Sequence, residues 1–121
     1  MLRETIVQIA DNSGARRAKQ IGFLGAFYKK NAQLGDLIIV AIPHRRRQRR
    51  FITKNIYLAV VVTKKQNTRR ASGIYVKFKS NKVILLSEQG KLVGSRLYGP
   101  IANELKKTKI ARILTLAKAI I

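Results

Sequence analysis

The residues best able to do chemistry in this chain are its cations, and they occur in groups. Positions 44–50 read His44-Arg45-Arg46-Arg47-Gln48-Arg49-Arg50, five arginines in seven residues. Shorter groups are Arg16 with Arg17, Lys29 with Lys30, Lys64 with Lys65, Arg69 with Arg70, and Lys106 and Lys107 with Lys109. A guanidinium is planar and offers parallel donors to two phosphate oxygens at once, which an ammonium cannot do. A single charge run is usually a solvated face, and for Lys106 to Lys109 that reading weighs as much as a functional one. Six groups around one small core are better explained by a polyanionic partner.

Catalysis finds no comparable material. The lone histidine, His44, lies inside the arginine run, and the absence of Cys removes thiol nucleophiles, thiolate metal sites and disulfides. The acids Glu4, Asp11, Asp36, Glu88 and Glu104 are dispersed, with no spacing that suggests a carboxylate pair or a metal cage. No glycine-rich phosphate loop is present. Capping, turn or ion-pair roles are expected of each acid, and neither enzyme activity nor a cofactor is expected.

The balance of charge agrees. In 121 residues, 26 Lys and Arg face 5 Asp and Glu, a formal net charge of +21. Self-repulsion on that scale opposes a compact state unless a polyanion neutralises it. Nucleic acid is the leading candidate and an anionic membrane surface the lesser one. The 46% hydrophobic content provides for a real core and excludes a disordered basic tail. The apolar runs, such as 37–42 and 57–62, are far too short to span a bilayer. The N-terminus has no signal-peptide core, and because strand-like patterning begins at Glu4 no cleaved organellar presequence is expected.

The elements that must position these cations read as strands. Residues 5–10 form a first strand, followed by turn chemistry at Asp11-Asn12-Ser13-Gly14. A second strand runs from about Ala15 to Phe27, bent or bulged at Gly22 and Gly25, with Arg16, Arg17 and Lys19 interleaved with Ala18 and Ile21 to give one wet positive face. A strand is expected over 36–42, and its run 37–42, like 57–62, is unbroken and apolar, as expected where both faces of a strand are covered or a barrel closes. After the turn at Ser72-Gly73 the chain alternates, Ile74, Val76 and Phe78 one way and Tyr75, Lys77 and Lys79 the other, and 83–86 is again apolar. Gly99 as N-cap with Pro100 at the first helical position predicts a short helix over 101–106, and a second helix is expected around 110–117. The sum is one mainly β domain over 1–121: a small barrel and hairpin in 1–98 with short C-terminal helices in 99–121 packed on it.

Aromatic residues help to define the nucleic acid. Binders of single strands need exposed aromatic platforms. Trp is absent, Phe78 shares a face with Ile74 and Val76, and although Tyr75 faces the other way, Tyr28, Phe51 and Tyr98 make no repeated stripe. Folded RNA, held through backbone and shape, is the better match.

Three long motifs carry a family resemblance. Ala10-Asp11-Asn12-Ser13-Gly14-Ala15-Arg16-Arg17 resembles the opening motif of the universal large-subunit ribosomal protein L-fourteen family. Ala59-Val60-Val61-Val62, then Ser72-Gly73, Phe78, Asn81 and Ile84-Leu85 resemble its central signature, and Gly94 to Leu105 resembles its third motif. Gly35-Asp36 also falls where the family has that pair. The chain departs from the family in Lys79 after Phe78, in Ile84 where valine is usual, and in Arg45 to Arg50, which replaces a Gly/Lys-rich hairpin.

The resemblance implies a small five-stranded β-barrel with a protruding basic hairpin and short C-terminal helices. It implies a structural constituent of the large subunit that binds rRNA near the sarcin–ricin region, pairs with protein L-nineteen and contributes to a bridge with small-subunit rRNA. The expected rRNA-binding residues are Arg16, Arg17, Lys29, Lys30, Arg45, Arg46, Arg47, Arg49, Arg50, Lys64, Lys65, Arg69, Arg70, Arg96, Lys106 and Lys107. Ser95, Arg96, Tyr98 and Arg112 resemble the surface where a ribosome-silencing factor docks. Charge and Ile, Lys and Asn usage point to a mitochondrial protein, with plastid and bacterial sources as the alternatives. A free single-strand-binding barrel and an RNA-modifying enzyme are the competing functional readings.

Overall fold

In the computed structural model of the chain, the residues described are 5–11, 16–23, 33–42, 56–70, 72–87, 89, 91–94, 97, 99–102, 105 and 120. They contain the strands β1 (Ile6–Ile9), β2 (Arg17–Phe23), β3 (Leu37–Ala41), β4 (Ile56–Thr63), β5 (Thr68–Arg69), β6 (Tyr75–Val76) and β7 (Lys82–Leu86). The order β1-β2-β3-β4-β7 closes into a barrel, and β5 pairs only with β6 as a separate ribbon. Neighbours in the barrel are antiparallel except β1 and β7, which run parallel and close it through Gln8↔Lys82 and Ile9↔Val83. The expected five-stranded barrel is present. Closure removes the free strand edges that an open sheet of this size would expose.

Patterning explains which strands alternate and which do not. In β1, Val7 and Ile9 are buried while Ile6 and Gln8 are exposed; in β2, Ala18 and Gln20 are buried while Arg17, Lys19 and Ile21 are exposed. These strands have one dry face and one wet face. β4 and β7 are dry on both. Tyr57, Ala59, Val61, Val83 and Leu85 join Val7, Ile9, Ile38 and Val40 in one core, while Val60, Val62, Ile84 and Leu86 pack outside it against Leu97, Ile101 and Leu105. A hydrogen bond fastens this outer layer: Ala102 N–H donates to the Val62 carbonyl at 3.1 Å. The unbroken run 57–62 is thus a strand covered on both sides.

Several expectations need correction. Ile21 lies on the wet face of β2 and Gln20 on the dry one, because residues 17, 19 and 21 share one face of a period-two strand. The bulge is confirmed: register with β3 shifts between Gln20 and Gly22. Gln20 is fully buried, and neither polar atom of its side chain has a hydrogen-bond partner in the structure. Ile74 is 62% exposed rather than packed with Val76 and Phe78, because β6 belongs to the ribbon and not to the barrel wall. Gly99 has φ +81, a left-handed conformation unlike that of an N-cap, and Ile101 enters a parallel bridge with Ile120 instead of a helical turn. Among the described residues the sole helical one is Leu105, in a 3₁₀ turn whose N–H donates to the Ala102 carbonyl at 3.3 Å. The expected helix over 110–117 and the protruding hairpin following Ile42-Pro43 lie outside the described residues.

Candidate nucleic-acid interface

Two surfaces gather most of the described cations. The first is the wet face of β2. Arg17 and Lys19 both stand exposed on it, and the register sets Arg17 opposite Gln8 and Lys19 opposite Ile6 on β1. Arg16 is also exposed, and its carbonyl accepts the Ile9 N–H at 2.9 Å, which fixes the start of β2 against β1. Gln8 in turn pairs with Lys82 on β7. The parity of β1, β2 and β7 puts Arg17, Gln8 and Lys82 in one row across the outer wall. At the far end of that row the Lys82 ammonium lies close over Gly99, where a Cβ would approach its Nζ to 3.3 Å.

The second surface is the β5–β6 ribbon, which leaves the barrel between β4 and β7. Three contacts hold its base. Thr63 Oγ1 donates to the Ser80 carbonyl at 2.9 Å, Lys65 N–H donates to Asn81 Oδ1 at 2.8 Å, and Phe78 N–H donates to the Lys64 carbonyl at 3.2 Å. At its tip, Arg70 N–H donates to the Ile74 carbonyl and Gly73 N–H to the Arg70 carbonyl, both at 2.9 Å. Gly73 takes φ +84 there, the left-handed conformation that closes a short hairpin and that a side chain would strain. Lys65, Arg69, Lys77 and Lys79 are exposed along the ribbon and Arg70 is half-buried. Residues 64–82 contain seven Lys and Arg and no acid.

Lys64 stands apart from its neighbours. It is 4% exposed, and its Nζ donates to Gln33 Oε1 at 2.8 Å. Burial lowers its pKa from 10.5, an effect partly offset by the nearby Asp36 carboxylate, which favours the charged form. Its ammonium therefore ties the end of β4 to the turn at 33–36. That turn is built by Asp36, whose Oδ2 accepts the Gln33 N–H at 2.7 Å, and by Gly35 at φ 83. Asp11 is equally structural: buried, it accepts the Leu85 N–H on Oδ2 at 3.2 Å and bridges to Leu97. Among the described residues no group of His, Asp or Glu could hold a metal ion, and no helix is long and apolar enough to cross a membrane.

Of the sites expected from sequence, Lys65, Arg69 and Arg70 come together on the ribbon, while Arg16 and Arg17 come together on β2. Lys29, Lys30, Arg45, Arg46, Arg47, Arg49, Arg50, Arg96, Lys106 and Lys107 lie outside the described residues, as do Ser95, Tyr98 and Arg112. The sequence reading omitted Lys19, Lys77, Lys79 and Lys82 from the interface. For three of them the signal was period-two parity: Lys19 shares a strand face with Arg17, and Lys77 and Lys79 share one with Tyr75; Lys82 is placed only by its register with Gln8. Two surfaces of this kind suit a phosphate backbone rather than a small ligand, because exposed cations spaced along strands match an extended polyanion. The family model described as Ribosomal protein L14p/L23e matches residues 1–121.

Proposed function

The chain belongs to the ribosomal protein L14p/L23e family, and from that premise we propose how its surfaces are used. Membership makes it a non-enzymatic, structural protein of the large ribosomal subunit, a partner of rRNA and of other ribosomal proteins. In the proposal, Arg16, Arg17, Lys65, Arg69 and Arg70 hold rRNA phosphates, joined by Lys19, Lys77, Lys79 and Lys82. The observation that carries this is the acid-free ribbon, anchored at its base and exposing four cations, beside a second cationic row on the barrel wall. Lys64 contributes by fixing the ribbon's origin and not by direct contact.

The finer parts of the proposal rest on likeness to the family. The arginines at 45, 46, 47, 49 and 50, with Lys29, Lys30, Arg96, Lys106 and Lys107, extend the rRNA contact, near the sarcin–ricin region. The protein pairs with protein L-nineteen and joins a bridge to small-subunit rRNA during translation. Ser95, Arg96, Tyr98 and Arg112 form the surface for a ribosome-silencing factor. Its compartment is the mitochondrial matrix, with plastid stroma and bacterial cytoplasm as alternatives. The chain works as one domain over 1–121.

Ultraviolet crosslinking inside purified ribosomes tests the rRNA assignment. Adducts to large-subunit rRNA on peptides covering Arg16–Lys19 and Lys65–Lys79 are expected. Recovery of the protein only in ribosome-free fractions, or adducts confined to other surfaces, would overturn it.

A further inference from the structure

Among the described residues Tyr75 is the only exposed aromatic ring, 63% exposed, whereas Tyr57 is buried and Phe23 and Phe78 are half-buried. An isolated exposed apolar side chain is ordinary; the surroundings of this one are not. Its cross-strand partner in the ribbon is Arg69. The neighbouring Arg70–Ile74 pair is hydrogen-bonded, so Arg69 and Tyr75 occupy a non-hydrogen-bonded position, where side chains of an antiparallel pair stand closest. Lys77 lies two residues on, exposed on the same face, while Val76 and Phe78 are half-buried on the other. Ring and cations are carried on a ribbon held at both ends, by the Gly73 turn and by the contacts of Thr63, Lys65 and Phe78.

A flat ring flanked by a guanidinium and an ammonium matches a nucleotide in each of its parts. The π face accepts a base, and the cations accept the phosphates on either side. A base can reach such a ring only if it is unpaired, since paired bases are stacked within the helix. We propose that Tyr75 stacks on the base of an unpaired rRNA nucleotide, with Arg69 and Lys77 holding the flanking phosphates. The proposal rests on the rRNA reading above and adds to it a contact made with a base rather than with backbone.

The test compares the full-length protein with Tyr75→Ala, Tyr75→Ile, Tyr75→Phe and Lys77→Gln in binding to protein-free large-subunit rRNA across a salt series. Ile preserves strand propensity without a ring, which guards against a loss of ribbon structure in the Ala variant. Loss of one stacked base should weaken binding about 5- to 150-fold for Ala and Ile. Their plot of log affinity against log salt should stay parallel to wild type, because stacking releases no counterion. Tyr75→Phe should bind within about twofold of wild type, and Lys77→Gln should flatten the slope by roughly 1. Wild-type affinity in both Ala and Ile variants would overturn the stacking while leaving the rRNA reading intact. So would a Phe variant as weak as Ala, or a defect seen only in whole subunits, which would assign the ring to a protein neighbour. No binding by the wild-type chain would overturn both.

Discussion

Replacing Lys65, Arg69, Lys77 and Lys79 together by glutamine tests the ribbon as a phosphate grip. All four side chains are exposed, so each change should alter folding stability by no more than about 0.5 kcal/mol. The backbone donor of Lys65 to Asn81 and the buried Lys64 remain in place. Each cation that neutralises a phosphate adds about 0.7–0.9 to the slope of log affinity against log salt. Four such contacts account for a slope of about 2.8–3.6, which over a fourfold rise from about 50 to 200 mM salt is a factor of roughly 50–150 in affinity. The quadruple variant should therefore be weaker at low salt and lose that much less affinity as salt rises. Filter binding of the full-length chain to large-subunit rRNA measures both quantities, with thermal unfolding as the control for fold. A slope reduced by less than about 1, with the fold intact, would refute the reasoning and leave the ribbon a solvated face.

The remaining predictions concern the scaffold. Val61→Asp puts a carboxylate into the fully buried core and should cost at least about 4 kcal/mol, read as loss of cooperative unfolding in urea; a folded variant would mean that the site admits water. Gln20→Met keeps the volume and removes two buried polar atoms that lack partners, so chemical denaturation should show a gain of about 1 kcal/mol, and a loss would reveal a partner for the amide. The lowered Lys64 pKa means that, in the alkaline range below 10.5, the unfolded chain binds a proton the native state has released. Stability contributed by this group therefore rises with pH through that range and falls again as pH drops through the native pKa. Lys64→Met should remove that part of the slope, and an unchanged slope would show that Lys64 does not titrate there.

Much of the fold was legible because period and composition were strong. The unbroken run 57–62, the apolar 83–86 and the glycine at the β2 bulge each led to the right element. Parity failed where an element was short or left the barrel. Ile74 matched Val76 and Phe78 in spacing, yet a two-residue strand in a detached ribbon has no core to turn toward. Ile21 was grouped with Ala18 because residue type was weighed above position, whereas the pleat sets it with Arg17 and Lys19. Lys64 looked like one more loop cation beside Lys65. That it is buried depends on Gln33 and Asp36, some thirty positions earlier in the chain, and local pattern holds no record of so distant a neighbour. Gly99-Pro100 had the chemistry of a helix start, but chain packing against Lys82 and the Ile101↔Ile120 bridge claimed those residues first.

The parallel seam between β1 and β7 has a consequence for the order of events in making this protein. β1 has its antiparallel neighbour β2 close at hand, but its other partner, β7, lies beyond every other strand of the barrel. Contacts of such long sequence separation form late, since the loop entropy must be met before they reward the chain. The row Arg17–Gln8–Lys82 exists only once that seam has joined. Without the seam Arg17 and Lys82 have no common register through Gln8, so the spacing of the row is a property of the closed barrel and not of any one strand pair.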